Sequence, residues 1–184
     1  MKAQLFTCGL ALTLALPTAA AAQARMPHEG ASAVGGEVGI FLPKEDALTK
    51  GPVVEGFYEY YLSARDSLRV GVGWMNPKWE AEDSDSLRQI RIGADLVRNW
   101  EGGAVHPYLG AGLGAYMLQF RDNGENLGDS ETKFGGNVFG GVEYFTSNTF
   151  SVKGEARYHV VSKTNAFELN PSGLSLTFGV KGYF

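Results

Sequence analysis

The sequence contains one cysteine, Cys8, so a disulfide framework and a cysteine-based metal centre are both excluded. Downstream of residue 24 no apolar run approaches the roughly 20 residues of a membrane-spanning helix. The 16 Lys and Arg are dispersed among 20 Asp and Glu, for a net charge of −4, and form no basic patch for a nucleic acid. What is present is Gly, 25 residues of it, and 12% aromatics in a chain of 184 residues, long enough for one domain. A transmembrane β-barrel hides in such a composition, because lipid-facing and lumen-facing residues cancel in a hydropathy average.

The N-terminus reads as Lys2, an apolar run from Leu5 to Leu16, then Pro17 and small residues. That is the three-part layout of a secretory signal, with cleavage expected after Ala22 or Ala24. Residues 1–24 are therefore assigned to a signal peptide, and Cys8 leaves with it. Residues 25–32 read as a short periplasmic leader, and 33–184 as the folded domain.

From Val34 onward the dominant period is two residues, the mark of strands with one apolar and one polar face. Strands are expected at 34–42, 53–62, 67–75, 87–98, 106–120, 133–145, 150–161 and 173–184. Val38, Val54, Val70, Ile92, Leu109, Leu113, Val138, Val152 and Phe178 fall on the apolar face. The connections alternate in length. KEDALTKG, residues 76–86, RDNGENLGDSET and SKTNAFELNP are long, while SARDS, NWEGGA and TSNT are short. Eight strands with loops sorted by length predict an all-β fold, an eight-stranded antiparallel up-and-down transmembrane β-barrel. Its short turns and both termini are expected in the periplasm.

The polar face carries Glu37, Glu55, Glu59, Arg69, Arg91, Asp95, Glu143, Lys153, Glu155, Arg157 and Lys181. Six acids and five bases on one face suit a water-lined or ion-paired lumen, not the apolar cup of a soluble eight-stranded barrel. In a barrel this narrow, side chains fill the interior, and buried charges must be paired. A structural plug is expected from them, with a gate or ion path as the alternative. Across the TSNT turn Glu143 is expected to pair with Lys153, and across the closing strands Glu37 with Lys181.

The final strand, GLSLTFGVKGYF, with Thr177, Gly179 and an aromatic Phe184 at its end, resembles the assembly signal of bacterial outer-membrane barrels. The PYLGAGLGAY strand and the GGVEYFTSNTFSVKGEARYHV hairpin are similar to those of small outer-membrane barrels of the OmpA/OmpX type. The resemblance covers about residues 34–184. It implies a bacterial outer-membrane location and insertion by the barrel-assembly machinery. It also implies contact with outer-membrane lipids and lipopolysaccharide, a monomeric state, and a structural or surface-interaction role carried by the extracellular loops. A narrow porin-like channel for small or apolar solutes is the alternative, with a lipid A deacylase-like hydrolase as a remote one. No catalytic residue, cofactor or metal is expected.

Three further motifs were weighed. GAGLGA at residues 110–115 matches a dinucleotide fingerprint in letters, but that motif opens a helix, and here the strand period runs on to Met117. Its glycines instead read as room for lumenal neighbours such as Phe139 and the arginines. The acidic stretches at 80–86 and 121–131 offer oxygen ligands without the spacing of a calcium loop. His159, Ser162 and Glu168 faintly resemble the His/Ser/acid set of the outer-membrane lipid A deacylases. In that family the Ser stands two residues after the His. A spacing of three on a continuous strand turns the two side chains to opposite faces.

Overall fold

A computed structural model of the chain describes residues 27–80, 85–100, 102–123, 125–164 and 169–184. The expected signal peptide and residues 25 and 26 of the expected leader lie outside the described residues. Among those described, eight long antiparallel strands close into a barrel. They are β1 (Ser32–Pro43), β2 (Gly51–Tyr61), β3 (Asp66–Met75), β4 (Ser86–Asn99), β5 (Val105–Asp122), β6 (Glu125–Ser147), β7 (Phe150–Val161) and β8 (Gly173–Tyr183). Each pairs with its neighbours in sequence, and β1 pairs with β8 through registers such as Val38↔Phe178 to complete the ring. Closure leaves no free sheet edge along the wall.

The short turns and the two described chain ends gather at one end of the barrel. There Ser32 and Phe184 exchange backbone hydrogen bonds of 2.9 and 3.1 Å, which extends the β1–β8 seam to the last residue. The long connections gather at the other end. Two of them contribute a two-residue strand each, Leu48–Thr49 and Lys78–Trp79, which pair with one another. Lys78 in turn pairs with Ser86 at the tip of β4.

One connection departs from expectation. RDNGENLGDSET is not a long open loop but part of a tall hairpin, in which β5 and β6 pair as far as Asp122↔Glu125. Asn123, at φ 47°, turns the chain. A register shift between Leu118 and Phe120 and a left-handed Gly128 at φ 68° interrupt the two-residue period along the way. Gln119 holds the irregular stretch, donating from Nε2 to the carbonyls of Phe120, Leu127 and Gly128. Because β7 leaves β6 at Gly135↔Val161, β6 rises above that neighbour, while β5 stays paired with β4 as far as Ser86↔Arg121.

The alternation has one phase all round. Val34, Val38, Val72, Leu96, Leu113 (75% exposed), Val138 and Phe178 project outward. The polar phase is buried within the ring: Glu59 and Arg91 are both 0% exposed. An apolar outside around a charged inside is the polarity of a barrel in lipid, and a one-residue slip would invert it. Single cysteines at Leu109, Leu113, Val138 and Val152 should therefore react with a lipid-soluble maleimide in reconstituted membranes, while cysteines at Glu59, Arg91 and Glu155 should not. The reverse labelling pattern would contradict this register.

Candidate functional site in the barrel lumen

The interior is stacked in layers along the barrel axis. At the short-turn end lie rings: Tyr61 and Tyr183 at 6.0 Å between centroids, Phe145 and Tyr183 at 5.3 Å, and His106 and Phe145 at 4.7 Å. At the loop end lies an apolar cap. Strand-end residues Phe41, Val53, Met75, Leu87, Leu118 and Val161 meet Leu48, Leu169 and Trp79 from the connections. The charges lie between these layers.

The lowest ion cluster is built on Lys181 and Glu59. Lys181 Nζ lies 2.9 Å from Glu143 and 3.3 Å from Glu59, and donates to the Tyr61 hydroxyl at 2.9 Å. Ser151 and Tyr183 donate their hydroxyls to the other oxygen of Glu143. Arg69 Nε meets Glu59 at 3.1 Å, and its Nη1 reaches Glu155 at 2.8 Å, from β3 to β7. Glu155 is the hub. It also takes Lys153 at 3.0 Å, Arg157 at 2.8 Å and the Tyr108 hydroxyl at 3.0 Å.

Above the hub, Arg157 reaches Asp95 at 2.8 Å and Glu55 at 3.5 Å, while Arg91 joins the same two acids. Asn137 donates to Asp95 at 3.0 Å and accepts from Arg157 at 2.9 Å. Rings fill the space between the charges. Arg69 and Lys153 each stand 4.6 Å from the Phe57 centroid, and Arg157 stands 4.1 Å from that of Phe139. A cation over a desolvated ring gains about 2 kcal/mol, so the aromatics support the charges as well as excluding water. Gly110 fits this packing, since a Cβ there would overlap the Phe139 ring.

All eleven charges read from the sequence thus lie inside the barrel and within one linked network, but two expected pairings are replaced. Glu143 and Lys153 do face each other in the β6–β7 register. Their side chains nonetheless bond elsewhere, Glu143 to Lys181 and Lys153 to Glu37 and Glu155. Glu37 and Lys181 do not meet, because Glu37 is opposite Gly179 and Lys181 opposite Gly35, two residues apart along the seam. Sequence reasoning also missed the neutral members Tyr61, Tyr108, Asn137, Ser151 and Tyr183. Each stands on the inward phase beside a charge, and that phase was the available signal.

The three assembly-signal positions take distinct places. Thr177 points inward and donates to Glu37, Phe184 is exposed at the short-turn end, and a Cβ on Gly179 would run into the Gly36 carbonyl and the Glu37 side chain. His159 is buried, bonded to the Tyr116 hydroxyl at 2.9 Å and the Ser175 hydroxyl at 3.0 Å. Ser162 is exposed and donates to the Phe134 carbonyl at 3.4 Å. The two do not share a site, and Glu168 lies outside the described residues.

This geometry agrees with what the chain is similar to. The family described as outer membrane protein beta-barrel domain matches residues 8–181. The chain belongs to that family. Among solved structures, this outer-membrane barrel is similar to Neisserial surface protein A, at 22% identity and a TM-score of 0.67, covering 85% of this chain and 98% of that one. It is similar also to OprG from Pseudomonas aeruginosa, at 14% identity and a TM-score of 0.61, covering 87% and 98%. Ail of Yersinia pestis shares 16% identity at a TM-score of 0.56, covering 85% and 99%. At these identities the likeness is one of fold. A comparison with curated proteins found no match.

Breaking a buried pair from one side strands the other charge, at about 3–5 kcal/mol. Lys153→Ala should lower the stability of the folded barrel in detergent by about 3 kcal/mol, read from urea-dependent loss of the compact electrophoretic form. Adding Glu37→Gln should recover part of the loss, and adding Glu143→Gln should not. Equal recovery by both would contradict the pairing described here.

Proposed function

We propose that this outer-membrane barrel is a non-enzymatic envelope protein whose lumen is a structural plug and whose work is done by the surface it presents at the loop end. The observation that carries the proposal is the depth of burial across the whole lumen. None of the eleven charges is more exposed than Glu55, at 7%, from Lys181 and Glu59 near the short turns to Arg91 and Glu55 below the cap. A water-filled channel hydrates the charges on its wall. Here the charges are paired with one another, between the aromatic layer at one end and the apolar cap at the other. The tall β5–β6 hairpin supports the second half of the reading, because residues 125–130 are all exposed and lie on the part of β6 that no longer pairs with β7.

Under this proposal both termini and the short turns lie in the periplasm, as in barrels whose long connections face outward. The final strand serves the barrel-assembly machinery through Phe184, which no lumenal contact requires. A narrow porin-like channel is the competing function, and it makes the opposite electrical statement. Planar-bilayer recording of the purified wild type should show no steady conductance at either polarity. Removing residues 122–126 at the hairpin tip should leave that silence, and the heat-modifiable folded form, unchanged. A large stable wild-type conductance would contradict the plug.

A further inference from the structure

The outer wall carries a groove that ends at an ion pair. It has a volume of about 470 Å³ and lies across β3, β4 and β5 near the short-turn end, between Leu96, Leu109 and Ala111. Its rim is Arg98 and Asp66, opposite one another in register. Arg98 Nη1 meets the two Asp66 oxygens at 2.9 and 3.2 Å, with the side chains 55% and 45% exposed. The turn before β3 holds the acid in place: Ser63 Oγ accepts from the Asp66 amide at 2.9 Å and donates to the Asp66 carboxylate at 3.3 Å.

The groove is at the right height for a headgroup. Tyr60, Trp100, Tyr144 and Phe150 are exposed around the same end of the wall. Such rings collect where hydrocarbon gives way to polar headgroups. A charge pair at that level, above an apolar trough running toward the membrane centre, is laid out like a phospholipid. A second groove, of about 410 Å³ beside Tyr58, Val70, Val72 and Ile92, has no charged residue in its lining. It offers acyl contact alone.

We infer that the Arg98–Asp66 groove is a binding site for a zwitterionic aminophospholipid of the periplasm-facing leaflet. The lipid phosphate lies on Arg98, its ammonium on Asp66, and an acyl chain over Leu96, Leu109 and Ala111. The paired charges are what select the lipid. An anionic lipid would satisfy Arg98 and confront Asp66, whereas a headgroup carrying both signs meets a partner at each. Exposed ion pairs are weak on their own and exchange partners readily, so the protein pair opens to the headgroup at little cost. The leaflet, though not the headgroup chemistry, rests on the orientation proposed above.

Native mass spectrometry of the intact barrel from mixed micelles of phosphatidylethanolamine and phosphatidylglycerol tests this. The wild type should retain phosphatidylethanolamine by about fivefold over phosphatidylglycerol, the ratio that one surface ion contact supports. Asp66→Asn should reverse the preference toward phosphatidylglycerol, Arg98→Gln should weaken retention of both lipids while Asp66 keeps the preference for phosphatidylethanolamine, and Val72→Ala in the second groove should change nothing. Heat-modifiability of each variant reports that the barrel has folded. Equal retention of the two lipids by the wild type, or one pattern shared by all four proteins, would overturn the site. The leaflet is read separately, by an impermeant maleimide on intact cells carrying Ala64→Cys in the turn before β3. No labelling is expected. Labelling from outside would overturn the inner-leaflet assignment even where the headgroup preference holds.

Discussion

Eleven formal charges are enclosed in a tube no wider than its own side chains, and the structure depends on leaving none of them unpaired. Taking one ion out of water costs several kcal/mol even after relaxation. The barrel meets that cost by connectivity. Glu155 holds two arginines, a lysine and a tyrosine at once, and Asp95 holds two arginines and an asparagine. Because Arg69 reaches from β3 to Glu155 on β7, the network also ties far sides of the wall together. The lumen is thus a polar core, doing for this barrel what an apolar core does for a soluble one.

From that constraint the remaining features follow. Long charged side chains need room, and glycines such as Gly110 and Gly179 sit where a Cβ would strike Phe139 or Glu37. The aromatic layer at one end and the apolar cap at the other keep water from the charges, which strengthens each pairing and makes an unpaired charge costly. A wall whose inward phase is polar must be apolar on its outward phase, and that phase faces the bilayer. On the function proposed here, what remains for interaction is the loop end, with its raised hairpin, and the few outward charges at the membrane edge.

Much of this was legible in the sequence because one period carries it. Alternation along every strand gave the face of each charge, and the single phase shared by all strands gave the barrel. What alternation cannot give is axial height. Glu37 and Lys181 share a face and adjacent strands, yet stand two residues apart along the seam. Glu143 and Lys153 share a register pair, yet each finds a better partner across the interior. Lysine and arginine stems reach beyond the nearest neighbour, so the ion partners are fixed by the curvature of the closed wall. The tall hairpin was missed for a different reason. The stretch 121–132 has Leu127 as its one apolar side chain, and an irregularity at Gln119 and Gly128 breaks the period. The Asn123–Gly124 pair was the turn signal available there.

The lumenal charges act as one paired core, and Arg69 with Glu155 is its most telling pair because it joins strands that share no backbone hydrogen bond. A double-mutant cycle with Arg69→Met and Glu155→Gln, read as unfolding free energy in detergent, measures their coupling directly. A favourable coupling of about 1–3 kcal/mol is expected, the range for side chains in one buried network. Additive effects, with coupling indistinguishable from zero, would mean that the two charges are separately hydrated and that the lumen is not a core.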